Sequence, residues 1–244
     1  MSIDACFLAL LLDGPLQSWG FASRFQRRST GLHPTKSGVI GLICAAMGLA
    51  KGSREERELL PQLATLKMTS IAIPRRSSDA RGGTAEDLPV LRLEDYHTVL
   101  ATRRASGTMN RNAVETTRQY LLDARFGAIL EGPRALLEKA ETGLKDPVWG
   151  VWLGRKSCIP SNPIFVGLCG SQEDAWKLIL RACGLDDQRA MQAFTVVADA
   201  QTFEEGTDSL SDQPVRFGDG ASSGPEKRQF AIRRIASRAA NRES

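Results

Sequence analysis

The sequence predicts an α+β fold: a ferredoxin-like (RRM-like) domain with a protruding excursion and a smaller β-rich C-terminal portion. Three observations lead there. Apolar runs and amphipathic stretches alternate as strand, helix, strand, excursion, strand, helix, strand, the split order also used by RNA-recognition folds. Residues 74–118 interrupt that order with a long polar stretch that has little to bury. The 244 residues are 42% hydrophobic, enough for a real core, yet no run approaches the roughly 18 apolar residues of a membrane span.

Each element has its own warrant. Residues 5–12, ACFLALLL, are short, apolar and stopped by Asp13-Gly14-Pro15, which fits a strand buried on both faces. Asp4 and the lack of a cationic leader argue against a signal peptide. After Pro34, Thr35 or Ser37 can cap a helix running to about Leu49, with Val39, Leu42, Ile43, Ala46 and Met47 on one face. Gly38 and Gly41 lower its helix propensity, so close approach of a sheet or ligand is expected there. Residues 66–73 read as a second strand. Within the excursion, 90–93 and 96–100 read as two short strand pieces and 101–118 as polar chain, mobile when unbound. The core resumes at 120–122 and 126–130. Pro133 opens a helix to about Gly143, and 147–153, PVWGVWL, is the predicted next strand. Residues 171–184 read as an amphipathic helix, and 193–198 and 228–235 as strands. The expected division is a ferredoxin-like domain over 1–153 and a smaller subdomain over 154–244.

Charge is unevenly distributed. No acidic residue occurs between Asp13 and Glu55, whereas Arg24, Arg27, Arg28, Lys36, Lys51 and Arg54 all do, with His33 among them. This basic loop runs directly into a helix start, where unpaired N–H groups and the helix dipole favour anions. A nucleic-acid backbone is the simplest anion needing so much surface. Residues 171–212 carry nine acids against three bases, and 225–242 six bases against one acid, which suggests a polarised surface. Five scattered cysteines without a Cys-x-x-Cys argue against a disulfide framework or zinc site and suit a reducing cytoplasm.

Motifs for chemistry are sparse. No P-loop is present, and no His/Asp/Glu cluster has metal-ligand spacing, so no cofactor is expected. Trp19, at the turn after the first strand, suits either a stacked base or a core anchor. His33, or Tyr96 or His97, with Lys36 would suit metal-free RNA cleavage, the histidine activating a 2′-hydroxyl. Tyr96 and His97 are adjacent in a strand and point to opposite faces, so the structural reading is favoured. Arg155-Lys156-Ser157 forms a loop suited to a phosphate or to plain surface.

The ordered blocks carry a resemblance. Gly14-Pro15-Leu16-Gln17-Ser18-Trp19-Gly20, Arg28-Ser29-Thr30-Gly31 and Pro34-Thr35-Lys36-Ser37-Gly38-Val39-Ile40-Gly41-Leu42 resemble the N-terminal motif of the CasD family. These are the crRNA 5′-handle-binding subunits of type I-E CRISPR Cascade, in the RAMP superfamily. Asp95 to Leu100, Arg118-Gln119-Tyr120-Leu121, Leu153 to Cys158, Asn162 to Gly167 and Arg228-Gln229-Phe230 are similar to later blocks. The resemblance implies a RAMP domain with a thumb at about 74–118. It implies a non-catalytic subunit in the cytoplasm that caps the 5′ handle of crRNA. Its neighbours would be a CasC-type backbone subunit and a CasA-type large subunit, with target DNA met through the complex and no membrane. The RNA-binding residues would be Trp19, Arg24, Arg27, Arg28, His33, Lys36, Ser37, Gly38, Arg155 and Lys156. A type I-C relative of this fold cuts repeat RNA itself, which keeps a metal-independent endoribonuclease as the alternative.

Overall fold

A computed structural model describes residues 5–20, 26–77, 86–103, 106–110, 112–186, 188–218 and 228–240. In chain order the elements are β1 (Ala5–Asp13), β2 (Leu16–Gln17), β3 (Arg27–Arg28), α1 (Lys36–Ala46), α2 (Arg54–Thr65), β4 (Lys67–Ala72), β5 (Leu91–Val99) and β6 (Val114–Leu122). They continue with β7 (Arg125–Pro133), α3 (Arg134–Lys145), β8 (Phe165–Cys169), α4 (Gln172–Ala182), β9 (Thr195–Asp199), β10 (Asp208–Arg216) and β11 (Gln229–Arg238).

The main sheet has seven strands in the order β10-β11-β9-β4-β7-β1-β8. Its β4-β7-β1-β8 part is antiparallel throughout and is the ferredoxin-like core. Alternation along β1 builds two cores from one strand. Cys6, Leu8, Leu10 and Leu12 face a core shared with α1, α2 and α3, while Ala9 faces one shared with α4. With both faces covered, β1 has the continuous apolar run that its sequence shows.

Several expectations change. The run 147–153 is not a strand: Val148 N–H donates to Ala46 O (2.9 Å) and Trp149 N–H to Ala45 O (3.3 Å), so its backbone closes the end of α1. β8 takes the sheet position instead. The division at 153 is no boundary in the sheet either, because β8 pairs with β1 and β9 with β4. The β-rich C-terminal strands extend the core sheet. The two short pieces of the excursion are one continuous strand, β5, paired residue by residue with β6 from Leu91↔Leu122 to Val99↔Val114, so residues 114–118 of the polar stretch are also strand. With β2 and β3 these form a second, four-stranded sheet. Helix α2 was not expected.

Candidate nucleic-acid interface

The acid-free segment divides into an inner half and an outer half. The loop bearing the arginines closes on itself at its stem: Trp19 N–H donates to Thr30 Oγ1 (2.8 Å) and Gly31 N–H to Trp19 O (2.7 Å). Beneath it, Gln17 is fully buried. Its Nε2 donates to Leu12 O (2.9 Å) and Ala124 O (2.6 Å), and its Oε1 accepts from Trp19 Nε1 (2.9 Å). Trp19 is therefore a core anchor, 1% exposed, and not an available stacking surface. Gly38 is glycine because of it, since a Cβ there would lie 2.9 Å from the indole ring.

The start of α1 is already supplied with an anion. Thr35 is the N-cap, its Oγ1 accepting from Gly38 N–H (3.3 Å), and Lys36 N–H donates to Asp212 Oδ2 (2.8 Å). The Lys36 ammonium is buried and donates to Asp199 Oδ2 at 2.9 Å. Burial lowers its pKa, partly opposed by Asp199. Arg233 completes the cluster, with Nε and Nη2 on the two oxygens of Asp212 (2.6 and 2.9 Å) and Nη1 on Asp199. Met68 N–H adds a bond to Asp199 Oδ2 (3.0 Å). This corrects the expectation for Lys36 and the helix start: the anions they meet are carboxylates of the C-terminal strands, which need the pairing because the site is dry. Ser37 is half-buried in the same first turn.

His33 is mostly buried, with its ring 5.9 Å from that of Phe126 and its Nδ1 without a partner among the described residues. Burial pushes its pKa down to about 4, so it is neutral near pH 7 and brings no charge to a phosphate. Tyr96 and His97 lie exposed on β5 of the second sheet. Of the residues of the cleavage alternative, Tyr96 and His97 are thus on β5, while His33 lies just before α1 and Lys36 begins it, with Lys36 already paired.

The outer half is different. Arg27 and Arg28 form β3, which runs parallel to Thr117 and Arg118 of β6, and both arginines are exposed. Among the described residues Arg27 has a weak partner, Glu94 at 3.7 Å, with both side chains largely in solvent. Arg155 crosses the junction, donating from Nη1 to Gln119 O (3.2 Å) and from Nη2 to Arg28 O (2.8 Å), with its guanidinium 4.7 Å from the Tyr120 ring centroid. Lys156 follows, exposed. A shallow crevice lined by Arg27, Arg28, Ser29, Thr117 and Gln119 runs along this edge. The structure thus brings together Arg27, Arg28, Arg155 and Lys156, and adds Thr117 and Gln119, which sequence reasoning met only inside a polar stretch and a family block. Arg24 lies outside the described residues. Among the described residues no cluster of His, Cys, Asp and Glu is arranged to hold a metal, and no helix is long and apolar enough to cross a membrane.

A ferredoxin-like core, joined to a strand-built arm by a cationic crevice, defines a class of α+β protein with an edge suited to anions. The chain belongs to the CRISPR-associated Cas5 family: the family model described as "CRISPR-associated protein (Cas_Cas5)" matches residues 7–236. It is 32% identical to the CRISPR system Cascade subunit CasD of Escherichia coli (strain K12) over 171 residues, 68% of this chain and 73% of that protein. Among solved structures it is similar to a chain of a CRISPR RNA-guided surveillance complex, with a TM-score of 0.67 and 25% identity over 96% of this chain and 90% of that one. It is also similar to a crystal structure of a Cas protein, with a TM-score of 0.56 and 27% identity over 96% and 94% of the two chains. The expected α+β RAMP-type fold stands with these neighbours.

Proposed function

We propose that this chain is a non-catalytic RNA-binding subunit of a type I-E Cascade-like surveillance complex, holding the 5′ handle of the guide RNA. The observation that carries this reading is the exposed Arg27–Arg28 strand, braced by Arg155 and flanked by Lys156, in a member of the Cas5 family. Arg27, Arg28 and Lys156 neutralise handle phosphates, and Arg24 stands three positions before Arg27 in the sequence. Arg155 sets the crevice shape and adds charge. Contacts to a CasC-type backbone subunit and a CasA-type large subunit complete the role. The placement of Tyr96 and His97 on β5, the burial of His33 and the pairing of Lys36 with Asp199 support a grip over a cleavage site.

The test is guide-RNA retention by the purified complex with Arg27→Ala, Arg28→Ala and Lys156→Ala combined. Affinity falls, and the slope of log affinity against log salt flattens by about 2, since each lost phosphate contact removes about 0.7 for a single strand. Unchanged retention and slope would overturn the grip. Repeat RNA incubated with the pure chain in chelator stays intact; specific cleavage lost in His97→Ala would establish the endoribonuclease instead.

A further inference from the structure

Residues 147–172 form a second stretch without a single acidic residue, and they contain Arg155, Lys156 and two of the four tryptophans. Trp152 lies at the start of a tightly closed turn. Gly154 N–H donates to Trp152 O (2.8 Å), Leu153 N–H to Cys158 O (2.8 Å) and Cys158 N–H to Arg155 O (2.8 Å). The turn is pinned to the basic loop's stem, because Ser18 N–H donates to Leu153 O (3.0 Å) and the Leu153 side chain is fully buried. Trp152, next to it, remains 37% exposed, and its indole N–H has no partner among the described residues. The ring lies close against backbone on one side. A Cβ on Gly150 would lie 2.5 Å from its Cζ2 and 2.8 Å from its Cη2, so the glycine backbone braces the indole closely on one side.

We infer that Trp152 is a nucleobase-stacking platform beside the arginine crevice, taking one unpaired RNA base on its open side; this rests on the RNA-binding reading above. Single-stranded RNA is gripped by cations along its backbone and aromatic rings under its bases. The crevice supplies the cations, and the same turn that carries Trp152 reaches it through the bond from Arg155 to Arg28 O. A ring braced in advance loses little freedom when a base stacks on it. Trp149 is set apart from this turn, with its N–H on Ala45 O at the end of α1. Trp19 and Trp176 are buried.

The experiment measures binding of the full chain to an unpaired RNA of about eight nucleotides and to an abasic strand of equal length and charge. The wild type binds the base-bearing strand about tenfold more tightly, as one stacked base provides. Trp152→Ala removes that gap while Trp152→Phe keeps most of it, and Arg28→Ala weakens both strands alike. A gap that survives in Trp152→Ala overturns the inference and leaves the arginine grip standing. Trp152→Ala that binds both strands as the wild type does, yet fails to enter the assembled complex, overturns it in favour of a protein contact. If neither Arg28→Ala nor Trp152→Ala changes binding, the RNA reading itself fails.

Discussion

Asp212 holds the first helix to the last strands, and its removal can be worked through quantitatively. In Asp212→Ala, Arg233 loses the acceptors of Nε and Nη2, and the first N–H of α1 loses the acceptor at 2.8 Å. Asp212 is 1% exposed and Arg233 8%, so water does not replace the missing oxygens. Two cations, Lys36 and Arg233, then share Asp199 alone. Removing one partner of a buried ion pair costs about 3–5 kcal/mol. For a chain of this size each kcal/mol shifts Tm by about 2–4 °C, so a fall of roughly 6–20 °C is expected. Thermal and urea melts of the purified chain measure it. Asp212→Asn, which keeps one acceptor oxygen, falls in between. Replacing the cluster together (Lys36→Met, Asp199→Leu, Asp212→Leu, Arg233→Met) stays closer to wild type than Asp212→Ala, because no charge is then stranded. An Asp212→Ala protein melting within about 2 °C of wild type would refute the reasoning.

Other outcomes follow from the same packing. Gln17→Ala strands two carbonyls and the indole N–H of Trp19, and urea melts register a loss of at least about 2 kcal/mol. Gly154 has φ +99° and a Cβ would lie 1.8 Å from Ser18 O, so Gly154→Ala loosens the turn carrying Arg155, and a fall in Tm accompanies weaker RNA binding. His33 has a folded pKa of about 4 against an ordinary 6.5, so the unfolded chain binds the proton more readily. Its contribution is present above pH 6.5 and lost as pH falls towards 4, reaching about 3 kcal/mol. Stability of His33→Gln, followed by urea melts from pH 7 to pH 4, declines less steeply than that of the wild type; parallel curves would show that His33 does not contribute.

Elements with their own apolar period were readable: β1, α1, β4, β7, α3 and α4 lie where the residue pattern puts them. Helix α2 escaped because its first five residues are all charged and it contains Pro61, although Ser53 with Glu56 three residues on is a capping box signal. β5 reads as two pieces in the sequence because its side chains are mostly exposed and little alternates. Residues 147–153 are as apolar as a strand, yet their backbone bonds go to a helix end, which composition does not reveal. At the site, the cation excess of 14–54 was visible, but not its division. Lys36 and Arg28 look alike in sequence; only the arrival of Asp199 and Asp212 makes one internal and leaves the other outside. The 171–212 acid excess likewise reads as surface until Asp212 is found buried and Asp199 mostly so.

The bond from the first residue of α1 to Asp212 spans 176 positions, and that from Lys36 Nζ to Asp199 spans 163. During synthesis, therefore, most of the ferredoxin-like core leaves the ribosome before its own helix start can be neutralised. Until then the nascent chain carries a cationic side chain and an unsatisfied helix end where the finished protein is dry. Such distant closure makes folding slow. It also makes the C-terminal strands a checkpoint for completeness: a chain cut short before Asp199 keeps Arg27, Arg28, Arg155 and Lys156 of the outer edge but lacks both carboxylates, Asp199 and Asp212, that pair with Lys36 and the helix start beneath it.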